Sequence, residues 1–122
     1  MPAIQNRKLD WMETEFTGVK LRRLINEDTD AAATTIGELL LEPGGCLPLH
    51  YHYIEEAFYV VEGNGEVTCG DEKFSAGTGA ALIAPARIVH GFRSTTDEPW
   101  IILFIYPTVN PKTIFVDQDE AN

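Results

Sequence analysis

The sequence has few basic residues, few cysteines and no long apolar run. Nine lysine and arginine residues stand against nineteen aspartate and glutamate residues, so the 122-residue chain carries a formal net charge of −10. No apolar run approaches the ~20 residues that cross a bilayer, and the first residues do not resemble a secretory signal. Because nucleic acid and anionic membranes attract clustered positive charge, we expect neither as a partner.

Cysteine is scarce as well. Cys46 and Cys69 are the two cysteines of the chain, and neither belongs to a C-x-x-C pair. Isolated cysteines of this kind are typical of reduced intracellular proteins, which predicts a cytoplasmic location. A disulfide between the two cysteines is the alternative.

No segment shows a helical period, an internal repeat or low complexity. Short segments rich in β-branched and aromatic residues alternate with turn residues, which predicts eight or more short strands. They are predicted over residues 18–25, 34–42, 46–52, 57–61, 66–69, 72–74, 80–84, 88–94 and 100–106. This spacing favours one all-β domain, an antiparallel barrel or jelly roll. The barrel is predicted over residues 18–107, with an N-terminal arm (1–17) and a C-terminal tail (108–122).

Three further expectations concern single positions. The Asn64-Gly65 pair predicts a hairpin turn. Arg22 and Arg23 lie on opposite faces of their strand, so one of them is expected to point into the barrel and to pair with a carboxylate. Trp100 is expected in the outer layer or in an interface.

Histidine is the third scarce residue, and its three copies are not scattered. His50 and His52 are two residues apart, so on a strand their side chains share one face. A straight extended chain would carry Glu56 about 13 Å further, whereas metal–ligand bonds are about 2 Å long. The chain is therefore predicted to turn at residues 53–55 and to start another strand at Glu56, with His90 arriving from a third strand. Together the four side chains predict a metal site.

The spacing of these residues resembles the two signatures of the cupin superfamily. The first signature matches in full as Gly44-x5-His50-x-His52-x3-Glu56-x6-Gly63. The second, normally Gly-x5-Pro-x-Gly-x2-His-x3-Asn, is here Gly79-x5-Pro85-x-Arg87-x2-His90-x3-Ser94. Over about residues 36–106 the chain is similar to small single-domain cupins. Its HYH-x3-E core and Ile105-Tyr106-Pro107-Thr108 are similar to short metal-binding cupins related to dimethylsulfoniopropionate lyases.

The resemblance implies a fold and a ligand set. The fold is the cupin double-stranded β-helix, an antiparallel jelly-roll barrel. The implied metal ligands are His50, His52, Glu56 and His90. Glu55 is the rival to Glu56, and the spacing of the signature selects Glu56.

Three imidazoles and one carboxylate suit one divalent transition metal, Fe, Mn, Ni, Co or Zn, and the sequence does not choose among them. A metal with six ligands would keep two positions for water, substrate or oxygen. Such a site predicts an enzyme that acts on a small polar or anionic metabolite, because structural zinc sites are usually closed. A closed metal, or buried histidines without a metal, is the alternative.

The reaction is predicted to be that of a dioxygenase. In the related lyases the implicated base is a tyrosine two residues after the metal-binding glutamate, but this chain has Phe58 there. Oxygen activation asks less of protein bases. A metal-dependent lyase or isomerase, with Tyr106 or Tyr53 supplying a hydroxyl, and a non-catalytic ligand-binding or sensor protein are the alternatives. A homodimer is expected in each case, since small cupins commonly pair through an N-terminal strand and the arm carries Trp11 and Phe16.

Four residues are predicted to line the substrate pocket, namely Phe58, Arg87, Cys46 and Tyr106. Phe58 shares the strand face of the metal-binding glutamate. Cys46 lies an even number of residues before the first histidine, with a buried core thiol as the alternative. Arg87 precedes the third histidine by three residues and could either pair with a substrate carboxylate or stay solvated.

Overall fold

A computed structural model describes residues 3–116 of the chain. Residues 1–2 of the predicted arm and 117–122 of the predicted tail lie outside the described range. Residues 3–116 contain no α-helix, and their helical turns are the 3-10 turns Asn6–Lys8 and Glu27–Thr29. Within the same range no helix has the length and apolar character that a membrane crossing needs.

Eleven strands in the described range form two antiparallel sheets. The strands are β1 (Met12–Glu13), β2 (Val19–Ile25), β3 (Thr35–Leu41), β4 (Cys46–Tyr51), β5 (Glu56–Glu62), β6 (Asn64–Cys69), β7 (Glu72–Gly77), β8 (Ala81–Ala84), β9 (His90–Ser94), β10 (Trp100–Tyr106) and β11 (Ile114–Phe115). One sheet has the order β1-β2-β3-β10-β5-β8, and the other has the order β11-β4-β9-β6-β7. This is the predicted all-β antiparallel jelly roll, and the prediction is confirmed.

The inner faces of the two sheets meet in an apolar core. Val60 of β5 and Ile102 of β10 contribute from the first sheet, and Val67 of β6 and Phe92 of β9 contribute from the second. Alternate residues of each strand point inward, as the pleat of a strand requires. Burying each such side chain contributes ~1.5–3 kcal/mol, so the core holds the two sheets firmly against each other.

The hairpin predicted at Asn64-Gly65 is wrong. β5 and β6 belong to different sheets, and the chain crosses between them at Gly63, which has a φ of 86°. Gly65 lies inside β6, where the indole of Trp100 packs so closely on its backbone that a Cβ would collide. Trp100 is 0% exposed, so its expected place in the outer layer is wrong too. Gly65 therefore serves the packing between the sheets and not a turn.

Arg22 pairs with a carboxylate as expected, but it does so outside the barrel. Arg22 lies opposite Glu38 on the neighbouring strand, and its Nε donates to Oε1 of Glu38 at 2.9 Å. Glu38 alternates with Leu39 of the core, so the pair is on the outer face of the sheet. The arm covers the pair, since the Asn6 amide donates to Glu38 and the Trp11 ring lies 3.9 Å from the guanidinium. Arg22 therefore does not point into the barrel, although one of the two arginines was predicted to do so.

Candidate metal centre

A β-bulge in β4 decides which side chains of that strand face the barrel interior. Leu47 pairs with Phe92 of β9 and His50 pairs with His90, so two residues of β4 oppose one residue of β9 between these pairs. The extra residue reverses the alternation of faces. His50 therefore points inward, whereas Cys46 is exposed on the outer face. The prediction that Cys46 lines the pocket is wrong, because it assumed an uninterrupted strand.

The four predicted ligands come together from three strands and one connection. His50 lies near the end of β4, His52 follows that strand, Glu56 starts β5 and His90 starts β9. The chain turns between Tyr51 and Glu56, as the spacing predicts. One ligand atom from each residue lies within 4.8 Å of all the others, and all four residues are buried. The cluster connects the two sheets, since β4 and β9 belong to one and β5 to the other.

Backbone carbonyls orient the three imidazole rings. Each Nδ1 lies within hydrogen-bond distance of a carbonyl oxygen, which can only accept. The acceptors are Pro48 for His50 at 2.7 Å, Lys112 for His52 at 2.8 Å and Ile88 for His90 at 3.0 Å. Each neutral ring therefore carries its proton on Nδ1 and presents the Nε2 lone pair to the centre. This is the orientation that metal-ligating histidines adopt in proteins.

The donor set can hold a cation at its centre. Oε1 of Glu56 lies 3.1 Å from Nε2 of His52 and 3.3 Å from Nε2 of His90. Lone pairs and a carboxylate oxygen at these distances repel one another unless a proton or a metal ion lies between them. Three nitrogens and one oxygen fit a divalent transition metal, and this donor set does not single out one of Mn, Fe, Co, Ni and Zn. The residues present therefore fit a metal ion.

Burial and the contacts within the cluster shift the pKa values of its members. Burial by itself lowers the pKa of His52, but the contact with Glu56 and the carbonyl of Lys112 outweigh it, and the pKa is raised. Burial by itself raises the pKa of Glu56, but the hydrogen bonds with His52 and His90 outweigh it, and the pKa is lowered. Burial, reinforced by the neighbouring His90, lowers the pKa of His50 to about 4. Because metal ligands bind in their deprotonated form, a metal and a proton would compete for His52 and Glu56.

An apolar cavity of about 250 Å³ adjoins the cluster at His50 and Glu56. Its wall is rich in phenylalanine from both sheets, the arm and the tail, with Phe16, Phe58, Phe92, Phe104 and Phe115 contributing. Phe58 is in the wall where the sequence predicts it, with its ring 5.8 Å from that of His90. The cavity suits a flat apolar group placed beside the metal ligands.

Tyr106 also lines the cavity, in agreement with its predicted position. Its hydroxyl lies 3.3 Å from Nε2 of His52. Burial, together with the charge of Glu56 and a hydrogen bond to it, raises the pKa of Tyr106. The side chain is therefore a neutral hydroxyl that faces the metal ligands.

Arg87 is not part of the cavity wall, so its predicted pocket role is wrong. It adopts a φ of 67°, the left-handed conformation that favours the glycine of the signature. Its backbone N–H donates to the carbonyl of His52 at 2.7 Å. The exposed guanidinium turns outward over the ring of Tyr53 at 5.7 Å. Tyr53 is itself 52% exposed, which leaves Tyr106 as the tyrosine of this site.

Sequence reasoning missed the contribution of the arm and the tail. Phe16 of the arm and Phe115 of β11 pack with ring centroids 5.2 Å apart, and Phe115 lies 5.4 Å from the His50 ring. The tail also supplies the Lys112 carbonyl that orients His52. The available signal was the occurrence of isolated apolar residues in otherwise polar termini. Such a pattern does not reveal which part of the barrel these residues contact.

Comparisons with known proteins place the fold among cupins. The family model described as a Cupin domain matches residues 37–106. The polyketide synthase CurC of Streptomyces cyaneus is 35% identical over 117 residues, which cover 92% of this chain and 76% of CurC. The solved polyketide cyclase RemF from Streptomyces resistomycificus superposes with a TM-score of 0.87 at 22% identity, over 96% of this chain and 86% of RemF. Oxalate decarboxylase of Bacillus subtilis, which has Mn(II) centres, superposes with a TM-score of 0.75 at 20% identity, over 90% of this chain and 30% of that protein. The two structural likenesses show a shared fold.

Proposed function

The chain belongs to the cupin domain family, and from this premise we propose that it is a metal-dependent enzyme acting on a flat, oxygen-bearing molecule of the polyketide type. One observation carries the proposal. The four side chains that can hold a metal ion, His50, His52, Glu56 and His90, form a cluster that adjoins a phenylalanine-lined cavity at His50 and Glu56. A polyketide offers both parts that such a site recognises, namely vicinal or 1,3-related oxygens for a metal and an apolar carbon skeleton for the wall.

We prefer a ring closure or isomerisation that leaves the oxidation state of the substrate unchanged. When bound, a divalent metal supplies Lewis acidity, which polarises carbonyl oxygens. Phe58 and Phe92 hold the substrate carbon skeleton and exclude water, so the electrostatic interactions at the ligands act in a medium of low dielectric. The relationship to the polyketide synthase CurC supports this choice of substrate class.

A dioxygenase is the second candidate function. Within the described wall of the cavity the ionisable side chains are Glu56, His50, Tyr106 and the exposed Glu15. The first two belong to the ligand cluster and Tyr106 keeps its proton, so no free general base stands beside the substrate. Oxygen activation depends little on protein bases. The lack of a free general base in the described wall therefore favours a dioxygenase.

The mass of the product distinguishes the two reactions. Metal-loaded protein would be incubated with linear aryl polyketones, from 1,3,5-triketones to 1,3,5,7-tetraketones, under air and under nitrogen. Ring closure gives a product of unchanged mass or of substrate minus water in both atmospheres, and this is the expected result. Products that contain added oxygen and form only in air would establish the dioxygenase instead. Saturable binding without any product would reject an enzyme in favour of a ligand-binding protein. The Glu56→Gln variant serves as the control for background cyclisation.

The native metal is a divalent transition ion under this proposal. Mn, Fe, Co, Ni and Zn all accept this donor set. The Mn(II) centres of the structurally similar oxalate decarboxylase make manganese one candidate. Elemental analysis of protein purified without added metal would identify the ion, with about one equivalent per chain as the expected content.

We propose that the arm (1–17) and the tail (108–122) complete the site of the barrel (18–107). Phe16 and Phe115 narrow the cavity beside His50, and the Lys112 carbonyl orients His52. Trp11 and Phe16, on which the sequence-based expectation of a dimer rests, thus contact other residues of the same chain.

We propose a homodimer that forms through the outer face of β10, β5 and β8. An antiparallel sheet with one solvated face alternates apolar and polar residues, but this face stays apolar. Tyr59, Val61 and Ile83 are 46%, 42% and 51% exposed, and Leu103 pairs with Tyr59. These residues are uncharged, so two copies with a net charge of −10 can meet there without direct repulsion.

Sedimentation of two variants tests this interface. Ile83→Asp places a charge on the proposed face and is expected to convert the dimer into a monomer at micromolar concentration. Met12→Asp, which alters an equally exposed residue of the N-terminal β1, is expected to remain dimeric. A monomeric wild type would refute the dimer, and a monomeric Met12→Asp variant alone would transfer the interface to the arm.

A cytoplasmic location is proposed as well, and the free thiols of Cys46 and Cys69 support it.

A further inference from the structure

We propose that Tyr106 is a catalytic residue whose hydroxyl donates a hydrogen bond to a substrate oxygen that lies beside the ligand cluster. The inference deepens the proposed function and rests on it. Tyr106 is the last residue of β10 and lines the cavity beside the ligand cluster. Its ring is held edge-on against the ring of His52, with centroids 5.0 Å apart and an interplanar angle of 81°.

The hydroxyl of Tyr106 lies beside the ligand atoms. It is 3.3 Å from Nε2 of His52, whose Nδ1 is held by the Lys112 carbonyl, and it hydrogen-bonds to Glu56. An imidazole nitrogen that carries a proton or binds a metal has no lone pair left to accept a hydrogen bond. With a metal bound, the hydroxyl would therefore keep an acceptor at Glu56 but none at His52, and its ring, fixed by packing, would hold it next to the centre.

The other hydroxyls of the described cavity wall are already engaged. Thr14 donates through Oγ1 to the carbonyl of Val19 at 2.7 Å. Oγ1 of Thr113 lies 3.4 Å from Nδ1 of His52, on the side of the ring that faces away from the centre. Phenylalanines and aliphatic side chains form most of the remaining wall. Tyr106 is thus the hydroxyl of the described wall that lies beside the ligand cluster in a buried, apolar space.

A buried hydroxyl in this position can donate to a substrate oxygen that lies next to the ligand cluster. The acceptor that matches is an anionic oxygen of an enol or enolate carried by a flat conjugated molecule. A hydrogen bond to such a charged oxygen is stronger than one to a neutral carbonyl. Tyr106 would therefore favour the enolate form of a bound 1,3-dicarbonyl over its keto form.

Tropolone binding to the Co(II)-loaded protein tests the role of Tyr106. Tropolone is flat and binds metals through two oxygens, and its binding changes the visible absorption of Co(II). Tyr106→Phe is expected to keep one Co(II) per chain with an unchanged spectrum and to bind tropolone about tenfold more weakly, which is the loss of one hydrogen bond to a charged oxygen. Tyr53→Phe, which deletes the same atom from an exposed ring outside the cavity, is expected to match the wild type.

The outcomes separate this inference from the proposed function. Equal tropolone affinity in Tyr106→Phe and wild type would overturn the role of Tyr106 and leave the metal enzyme intact. Loss of Co(II) from Tyr106→Phe would also overturn it, because the residue would then support the metal and not the substrate. A wild type that binds Co(II) but no tropolone at millimolar concentration would contradict the proposed substrate class itself. Turnover of an aryl 1,3,5,7-tetraketone adds a further criterion, since loss of a donor to the enolate in Tyr106→Phe should lower kcat more than it changes KM.

Discussion

Arg87 shows how much a single backbone angle can decide. Its φ of 67° is the conformation for which the cupin signature uses glycine, and the loop keeps its path, since the Arg87 N–H still donates to the His52 carbonyl. The left-handed conformation costs roughly 1–2 kcal/mol for a residue with a Cβ. The arginine therefore preserves the loop that delivers His90 but stores strain in it.

We predict that Arg87→Gly is more stable than Arg87→Ala by about 1 kcal/mol, because both variants lose the guanidinium but only glycine relieves the strain. Urea unfolding of the two variants at one pH measures the difference. Both variants lack the contact between the guanidinium and Tyr53, so its loss cancels when the two are compared. Equal midpoints with equal slopes would show that the loop carries no strain.

Glu56 and Glu55 are adjacent carboxylates with opposite surroundings. Glu56 is buried among the histidines, whereas Glu55 is exposed. We predict that Glu56→Gln lowers the affinity for Mn(II) or Co(II) by more than about 100-fold, since even residues that only orient a ligand contribute 10–100-fold. Glu55→Gln should leave the affinity unchanged. Competition with a chromophoric chelator measures both affinities, and a similar loss in the two variants would point to general charge and not to coordination.

At the scale of elements, the contact between β6 and β10 joins the two sheets. The indole of Trp100 lies on Gly65 because glycine has no side chain to hold it away. We predict that Gly65→Ala destabilises the protein by about 2 kcal/mol through overpacking. The cost should shrink in the Trp100→Phe background, where the ring is smaller, with a coupling of at least ~0.5 kcal/mol. Thermal or urea unfolding of the wild type, the two single variants and the double variant gives the coupling energy. Strictly additive effects would show that Gly65→Ala does not clash with Trp100.

The bulge of β4 determines which side chains of that strand reach the site. Without the extra residue between Leu47 and His50, the strand would present Cys46 and His50 on the same face. With it, Leu47 joins the cavity wall, and His50 joins the ligands. Alternation along a strand is a local rule, and a bulge breaks it at a place that the residue types do not mark.

At the scale of the whole molecule, a metal would tie the two sheets together. His50 and His90 belong to one sheet, and Glu56 belongs to the other. We predict that removing the metal with a chelator lowers the free energy of unfolding by about 2.7 kcal/mol relative to protein with free metal at 100 times its Kd. Scanning calorimetry with and without added metal measures the shift. Glu56→Gln is the control in which metal should cause little change, and an unchanged wild-type Tm would contradict a site that binds only the folded state.

Three of the four ligands could be predicted because they depend on short-range spacing, and His90 was added by its place in the second signature. His50, His52 and Glu56 lie within seven residues, and a strand followed by a turn can bring them together in few ways. The outward position of Arg87 could not be predicted, since it follows from the packing of its guanidinium on Tyr53. The buried position of Trp100 likewise depends on a glycine 35 residues away in the chain. Contacts of this kind are set by the whole fold.

The sequence by itself determined the strand-rich architecture and the four candidate ligands, because alternation, turn residues and short spacings act locally. The tertiary structure decided which side chains share the cavity. It reversed the face of Cys46 through a bulge, brought Phe16 and Phe115 together from opposite ends of the chain, and aimed the Tyr106 hydroxyl at the ligands. These placements depend on packing between segments far apart in the chain, where no local pattern records which neighbour a side chain will meet.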